Sequence, residues 1–117
     1  MSANRDLVFF SGEQKTITVT IYDEDEATVD LTGGTGWFTI KDKRSDTDPG
    51  KMQKTITVLN QVTYPGQCTV AITTSDWTSI DPGEYYYDLK IKLSSGDIYY
   101  PLYGQVTVRE NVTTKDS

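Results

Sequence analysis

The sequence predicts an all-β sandwich. Three observations predict it. Nearly every segment alternates apolar and polar residues with period two. Turn residues recur between the alternating runs, and no segment carries a sustained helical stripe.

The elements follow in order. RDLVFF (5–10) reads as the first strand. QKTITVTIYD (14–23) places Ile17, Val19 and Ile21 on one face and Thr16, Thr18 and Thr20 on the other, the pattern of a half-buried strand. TGWFTIKD (35–42), QKTITVL (53–59) and QCTVAIT (67–73) continue the series, the last with Cys68, Val70 and Ile72 on one face. GEYYYDLKIKL (83–93) groups Tyr85, Tyr87, Leu89, Ile91 and Leu93 against Tyr86, Asp88, Lys90 and Lys92. In DIYYPLYGQVTV (97–108) the same alternation turns Ile98, Tyr100, Leu102, Val106 and Val108 inward, and Tyr99 and Tyr103 outward. Pro-Gly at 65–66 and Ser-Ser-Gly-Asp at 94–97 are tight-turn sequences, and LTGGTG (31–36) and SDTDPG (45–50) are loops. Only TSDWTSI (74–80) suits a helical turn, with Thr74 or Ser75 as its cap.

Seven short strands, with a long excursion between the fifth and sixth, suit a Greek-key, immunoglobulin-like arrangement within one domain, residues 1–109. ENVTTKDS (110–117) reads as a polar tail. Its Asn111-Val112-Thr113 sequon is read as chance, because no signal peptide precedes it.

The run of three tyrosines fits that arrangement. Asp81-Pro82-Gly83-Glu84-Tyr85 has the Asp-x-Gly-x-Tyr form of the tyrosine corner at the start of such a strand. Tyr85 is then the corner residue. Tyr87 stands where many immunoglobulin domains place a core cysteine, and Tyr86 points outward. Trp37 is the candidate core tryptophan, although Phe38 and Ile40 form the more apolar face of its strand.

Composition narrows the function. The chain of 117 residues has no histidine and one cysteine, Cys68. Ser-His-Asp, Cys-His and zinc chemistries therefore lack their residues, no internal disulfide can form, and no enzyme is expected. The formal charge is −6, and five of the 17 acids lie in DEDEATVD (23–30). Local acidity without a basic face argues against nucleic acid. No apolar run is long enough for a membrane helix. No cofactor is expected. The one metal alternative is calcium held by Asp23, Asp25, Asp46 and Asp48. These are hard oxygen donors, but the loop starting at Asp46 reaches Thr57 where a calcium loop needs a bidentate glutamate, so a solvated turn is preferred.

The order GGTGWFTIKDK, then AITTSDWTSIDPGEYYYDLKIKLSSGDIYYPLYGQVTV, resembles small immunoglobulin-like virion proteins of tailed bacteriophages. It is similar to the N-terminal domain of phage upper-baseplate proteins, which share a "DLTG…W" stretch and a "PGxYxYDL…G…TV" ending. The resemblance spans about residues 6–108. It implies a non-enzymatic structural protein of the virion, assembled in the host cytoplasm and docking on other virion proteins in many copies. Longer members continue into a segment that holds receptor-binding proteins. This chain stops soon after the domain, so the expectation is a complete small protein attached to the tail, baseplate or neck. Capsid decoration is the alternative, and a carbohydrate-binding module that holds the host surface is the alternative of a different class. Tyr86, Tyr99 and Tyr103 are the candidate docking residues, because tyrosine is enriched at interfaces.

Overall fold

The structure is a computed structural model that describes residues 3–48, 50–110 and 112. The predicted tail and its sequon lie almost wholly outside the described residues. Among the described residues nine strands follow one another: β1 (Ala3–Asn4), β2 (Leu7–Phe10), β3 (Lys15–Thr20), β4 (Thr35–Lys41), β5 (Met52–Thr55), β6 (Thr57–Val58), β7 (Gln67–Ile72), β8 (Gly83–Lys92) and β9 (Ile98–Arg109). They form two sheets. The large sheet has the order β1-β9-β8-β4-β5, with β2 also on β9, and the small sheet has the order β3-β7-β6. The chain crosses between sheets after β2, β3, β5 and β7, which gives an immunoglobulin-like β-sandwich.

Two predicted strands depart from expectation. RDLVFF holds only β2, with β1 just before it, and both run parallel to β9, whereas the remaining pairs are antiparallel. A parallel neighbour could not be read from the alternation, which is the same for both pairings. QKTITVL divides at Ile56. Met52–Thr55 pairs with β4, and Thr57–Val58 pairs with β7 across the sandwich. Ile56 stays buried at the crossing and its N–H donates to Gly36 O at 3.0 Å. The predicted turns hold: Gly66 has φ 76° and Gly96 has φ 97°.

The core lies between the sheets. Ile21, Leu31, Ile40, Cys68, Val70, Ile72, Leu89, Ile91 and Val106 are each at most 1 % exposed. Its tryptophan is Trp77, not Trp37. Trp77 ends a 3₁₀ turn, Thr74–Trp77, whose N-cap is Thr73. There Asp76 accepts from the Thr73 N–H at 2.7 Å and from its hydroxyl at 3.0 Å. The Trp77 ring packs 5.2 Å from Phe9, and its Nε1–H donates to Glu13 O at 2.7 Å. This closes the end of the sandwich. Trp37 is half-buried on the outer face of β4, because Phe38 and Ile40 take the core side of that strand.

The tyrosine corner forms as predicted. The buried Tyr85 hydroxyl donates to Asp81 O at 2.5 Å, across the turn that ends where Gly83 opens β8. Tyr87 is buried, packs 5.5 Å from the Phe38 ring and donates its hydroxyl to Arg5 O. That carbonyl lies at the break between β1 and β2. The contact needs Gly104, which sits opposite Tyr87 on β9. A Cβ at Gly104 would fall 2.6 Å from Arg5 O, so no side chain fits there. The Asp6 carboxylate completes the junction by accepting from the Gln105 N–H at 3.1 Å.

Candidate functional site

The outer face of the large sheet carries the candidate site. Strand register sets out its rows. Lys41 faces Tyr86, which faces Gln105; Thr39 faces Asp88, which faces Tyr103; Trp37 faces Lys90. Two shallow hollows join on this face. One, of about 280 Å³, lies among Lys41, Arg44, Tyr86, Asp88 and Tyr103. The other, of about 330 Å³, lies among Trp37, Gln53, Asp88, Lys90 and Tyr100. Thr39, Lys41 and Asp88 belong to both.

Of the three predicted docking tyrosines, the structure brings two together and turns the third away. Tyr86 and Tyr103 line the same hollow, Tyr103 at 40 % exposure. Tyr99 packs against the core instead. Tyr100, predicted inward, is 44 % exposed on the outer face, and Ile98, also predicted inward, is 48 % exposed. The cause is a register shift between Leu89 and Ile91. Leu89 faces Leu102, but Ile91 faces Tyr99, so β9 carries an extra residue at the buried Pro101. A bulge reverses facing on one side of itself. The signal was present in the sequence. A proline inside a strand has no N–H for the ladder and marks an edge or a bulge.

Charge on this face is organised around Asp88. Burial raises its pKa, Lys41 and Lys90 oppose the rise, and Asp48 adds to it. Among the described residues its carboxylate accepts no hydrogen bond. Lys41 is engaged with Asp48 at 2.9 Å, and the Arg44 guanidinium lies 4.7 Å over the Tyr86 ring, a cation–π distance. Gln53 Nε2 donates to the Thr39 hydroxyl at 3.1 Å. Val8 and Phe10, about half exposed on β2 beside Thr107 and Arg109, extend the apolar surface across the sheet. Sequence reasoning missed Trp37, Tyr100, Val8 and Phe10 as members of this face.

The calcium candidates are not assembled. Among the described residues no three carboxylate, histidine or cysteine side chains gather closely enough to hold a metal ion. Asp23 Oδ1 accepts from the N–H groups of Asp25 and Ala27, at 2.9 and 3.0 Å, and so builds its own hairpin. Asp46 accepts from the Lys43 N–H at 3.0 Å, and Asp48 pairs with Lys41. Cys68 is fully buried, and burial pushes its thiol up to about 11, far from a thiolate nucleophile.

No family model matches the chain, and no match to a curated protein was found.

Proposed function

We propose that this chain is a non-enzymatic structural module of a tailed-phage virion, docked on other virion proteins through the outer face of its large sheet. The observation that carries the reading is the convergence of Trp37, Tyr86, Tyr100 and Tyr103 around Asp88, Lys41 and Lys90 on one rigid sheet. Aromatic rings interleaved with a few charges are the composition of protein interfaces, where a few anchors dominate affinity. The resemblance at residues 6–108 supplies the virion context. A tail, baseplate or neck position is the first choice, and capsid decoration the second. Repetition by particle symmetry strengthens a contact that is weak in a single copy.

A carbohydrate-binding module is the second reading. It is favoured by Asp88, Gln53 and Thr39 standing between aromatic rings, a mixture suited to sugar hydroxyls and ring faces.

The test is Tyr100→Ser combined with Tyr103→Ser. Both side chains are substantially exposed, so stability should move by no more than about 0.5 kcal/mol. Copies per particle should fall sharply, while binding to host polysaccharide stays at background. Undiminished incorporation with lost polysaccharide binding replaces the docking reading with the carbohydrate one. Undiminished incorporation without polysaccharide binding removes both.

A further inference from the structure

A second surface lies at the seam of the sandwich. The large sheet runs on past β8 through β9 to β2, whereas the small sheet stops at β3. The result is a cleft of about 540 Å³, with β3 on one side, β2 on the other and a floor of Phe38, Leu89 and Leu102. Leu7 and Ile17 line its rims and are only partly buried, although both are apolar.

The rim on β3 is an unused half-ladder. Ile21 N–H donates to Gly66 O at 2.8 Å, and this sets the phase of hydrogen bonding between β3 and β7. In an antiparallel pair the bonded residues alternate. Val19 and Ile17 therefore bond to Cys68 and Val70, and the main-chain groups of Thr16, Thr18 and Thr20 point into the cleft. β3 carries no proline and no bulge, the usual protections of an exposed edge, and its single charge is Lys15. Lys15 Nζ lies 6.0 Å over the Phe9 ring and has no carboxylate within ion-pair distance among the described residues.

We infer that this cleft takes one extended segment of another polypeptide, which adds to β3 as a strand. The segment is apolar at alternate positions and carries an acidic residue beside Lys15. The ledge of β9 and β2 decides between occupants. Another intact sandwich of this kind brings its own ledge, and the two ledges collide before the β3 edges meet. A single strand lies on the ledge freely, offers three donors and three acceptors to Thr16, Thr18 and Thr20, and sets its apolar side chains against Leu7, Ile17 and Leu102. This is the geometry of β-strand addition, in which main-chain bonds supply affinity and alternate side-chain sites supply specificity. The site is separate from the aromatic face, and either can fail without the other.

The test uses the intact protein and an acetylated, amidated heptapeptide, Glu-Thr-Val-Thr-Val-Thr-Glu, whose near-symmetry serves either strand direction. Binding should slow amide hydrogen exchange at Thr16, Thr18 and Thr20. Two versions N-methylated at alternate amides, one in each phase, should differ: one binds roughly as well as the parent, and the other loses about tenfold or more, the effect of a lost hydrogen bond or two. Lys15→Glu should weaken the peptide several-fold. No binding at millimolar peptide overturns the inference. So does equal binding of both methylated versions, or protection that falls on Tyr86 and Tyr103 instead.

Discussion

Tyr85, Tyr86 and Tyr87 are consecutive and chemically identical, yet the fold gives each a different role. The Tyr85 hydroxyl satisfies Asp81 O, so Tyr85→Phe leaves a part-buried acceptor without its partner. The expected cost is about 1–3 kcal/mol, read as a lower denaturant midpoint with the fold retained. Tyr87→Ala removes a buried ring and the bond to Arg5 O, and should cost about 3–5 kcal/mol. Tyr86→Ala gives up only a partly buried ring under Arg44 and should stay within about 1 kcal/mol. Reversed costs at 86 and 87 would contradict the facing of β8. Two buried groups also set an alkaline limit. Burial raises Tyr87 to about 12 from an ordinary 10.0, and Cys68 to about 11 from 9.0. Both hold their proton more tightly folded than unfolded. Their contributions are whole below the unfolded values and are lost as pH climbs through the folded ones, each by up to about 1.4 kcal/mol per pH unit. Denaturant midpoints should therefore fall between about pH 9 and pH 12, and Tyr87→Phe or Cys68→Ala should flatten the slope.

At the scale of elements, the junction of β1, β2 and β9 depends on a missing atom. Gly104→Ala pushes a methyl group to 2.6 Å from Arg5 O. Overpacking of this kind costs about 1–3 kcal/mol, and thermal melting should show it together with faster amide exchange at Arg5 and Gln105. Alternation was enough to place β3, β4, β7 and β8 to within a residue or three, because each keeps a single facing along its length. It failed where facing or partner changes inside a run. β9 shifts at Pro101, which exchanged Tyr99 for Tyr100 in the candidate face. QKTITVL changes sheet at Ile56, and RDLVFF pairs in parallel. Neither event alters the apolar pattern, since Ile56 and Phe9 are buried on either account. Trp37 was misplaced for another reason: its place early in the third predicted strand suggested the core tryptophan of an immunoglobulin-like sandwich, but the strand's parity favours Phe38 and Ile40.

At the scale of the whole molecule, one core unites both sheets, and Cys68 reports on it. The thiol is 0 % exposed at the centre of that core. Its labelling by a disulfide reagent should track global unfolding across denaturant concentrations and show no faster local phase. Labelling that outpaces unfolding would mean that the small sheet opens independently. Calcium at saturation should leave the melting temperature unchanged, since the carboxylates of Asp23, Asp46 and Asp48 serve the main chain or Lys41 instead; a rise specific to calcium would reveal a site by mass action. The parallel strands at the start of the chain have a mechanical consequence. β1 and β2 run alongside β9 in the same direction, from Ala3 opposite Leu102 to Phe10 opposite Arg109. Tension applied at residue 3 and residue 110 therefore draws the two strands past each other lengthwise. The load falls in shear on all of their hydrogen bonds together, instead of peeling them one at a time. Stretched between residues 3 and 110, the domain should break at a higher force than when pulled between residues 83 and 108, which face each other near the open ends of the antiparallel β8–β9 pair and separate like a zip. Val8→Pro, which introduces a proline into β2, should lower the first force and leave the second largely unchanged.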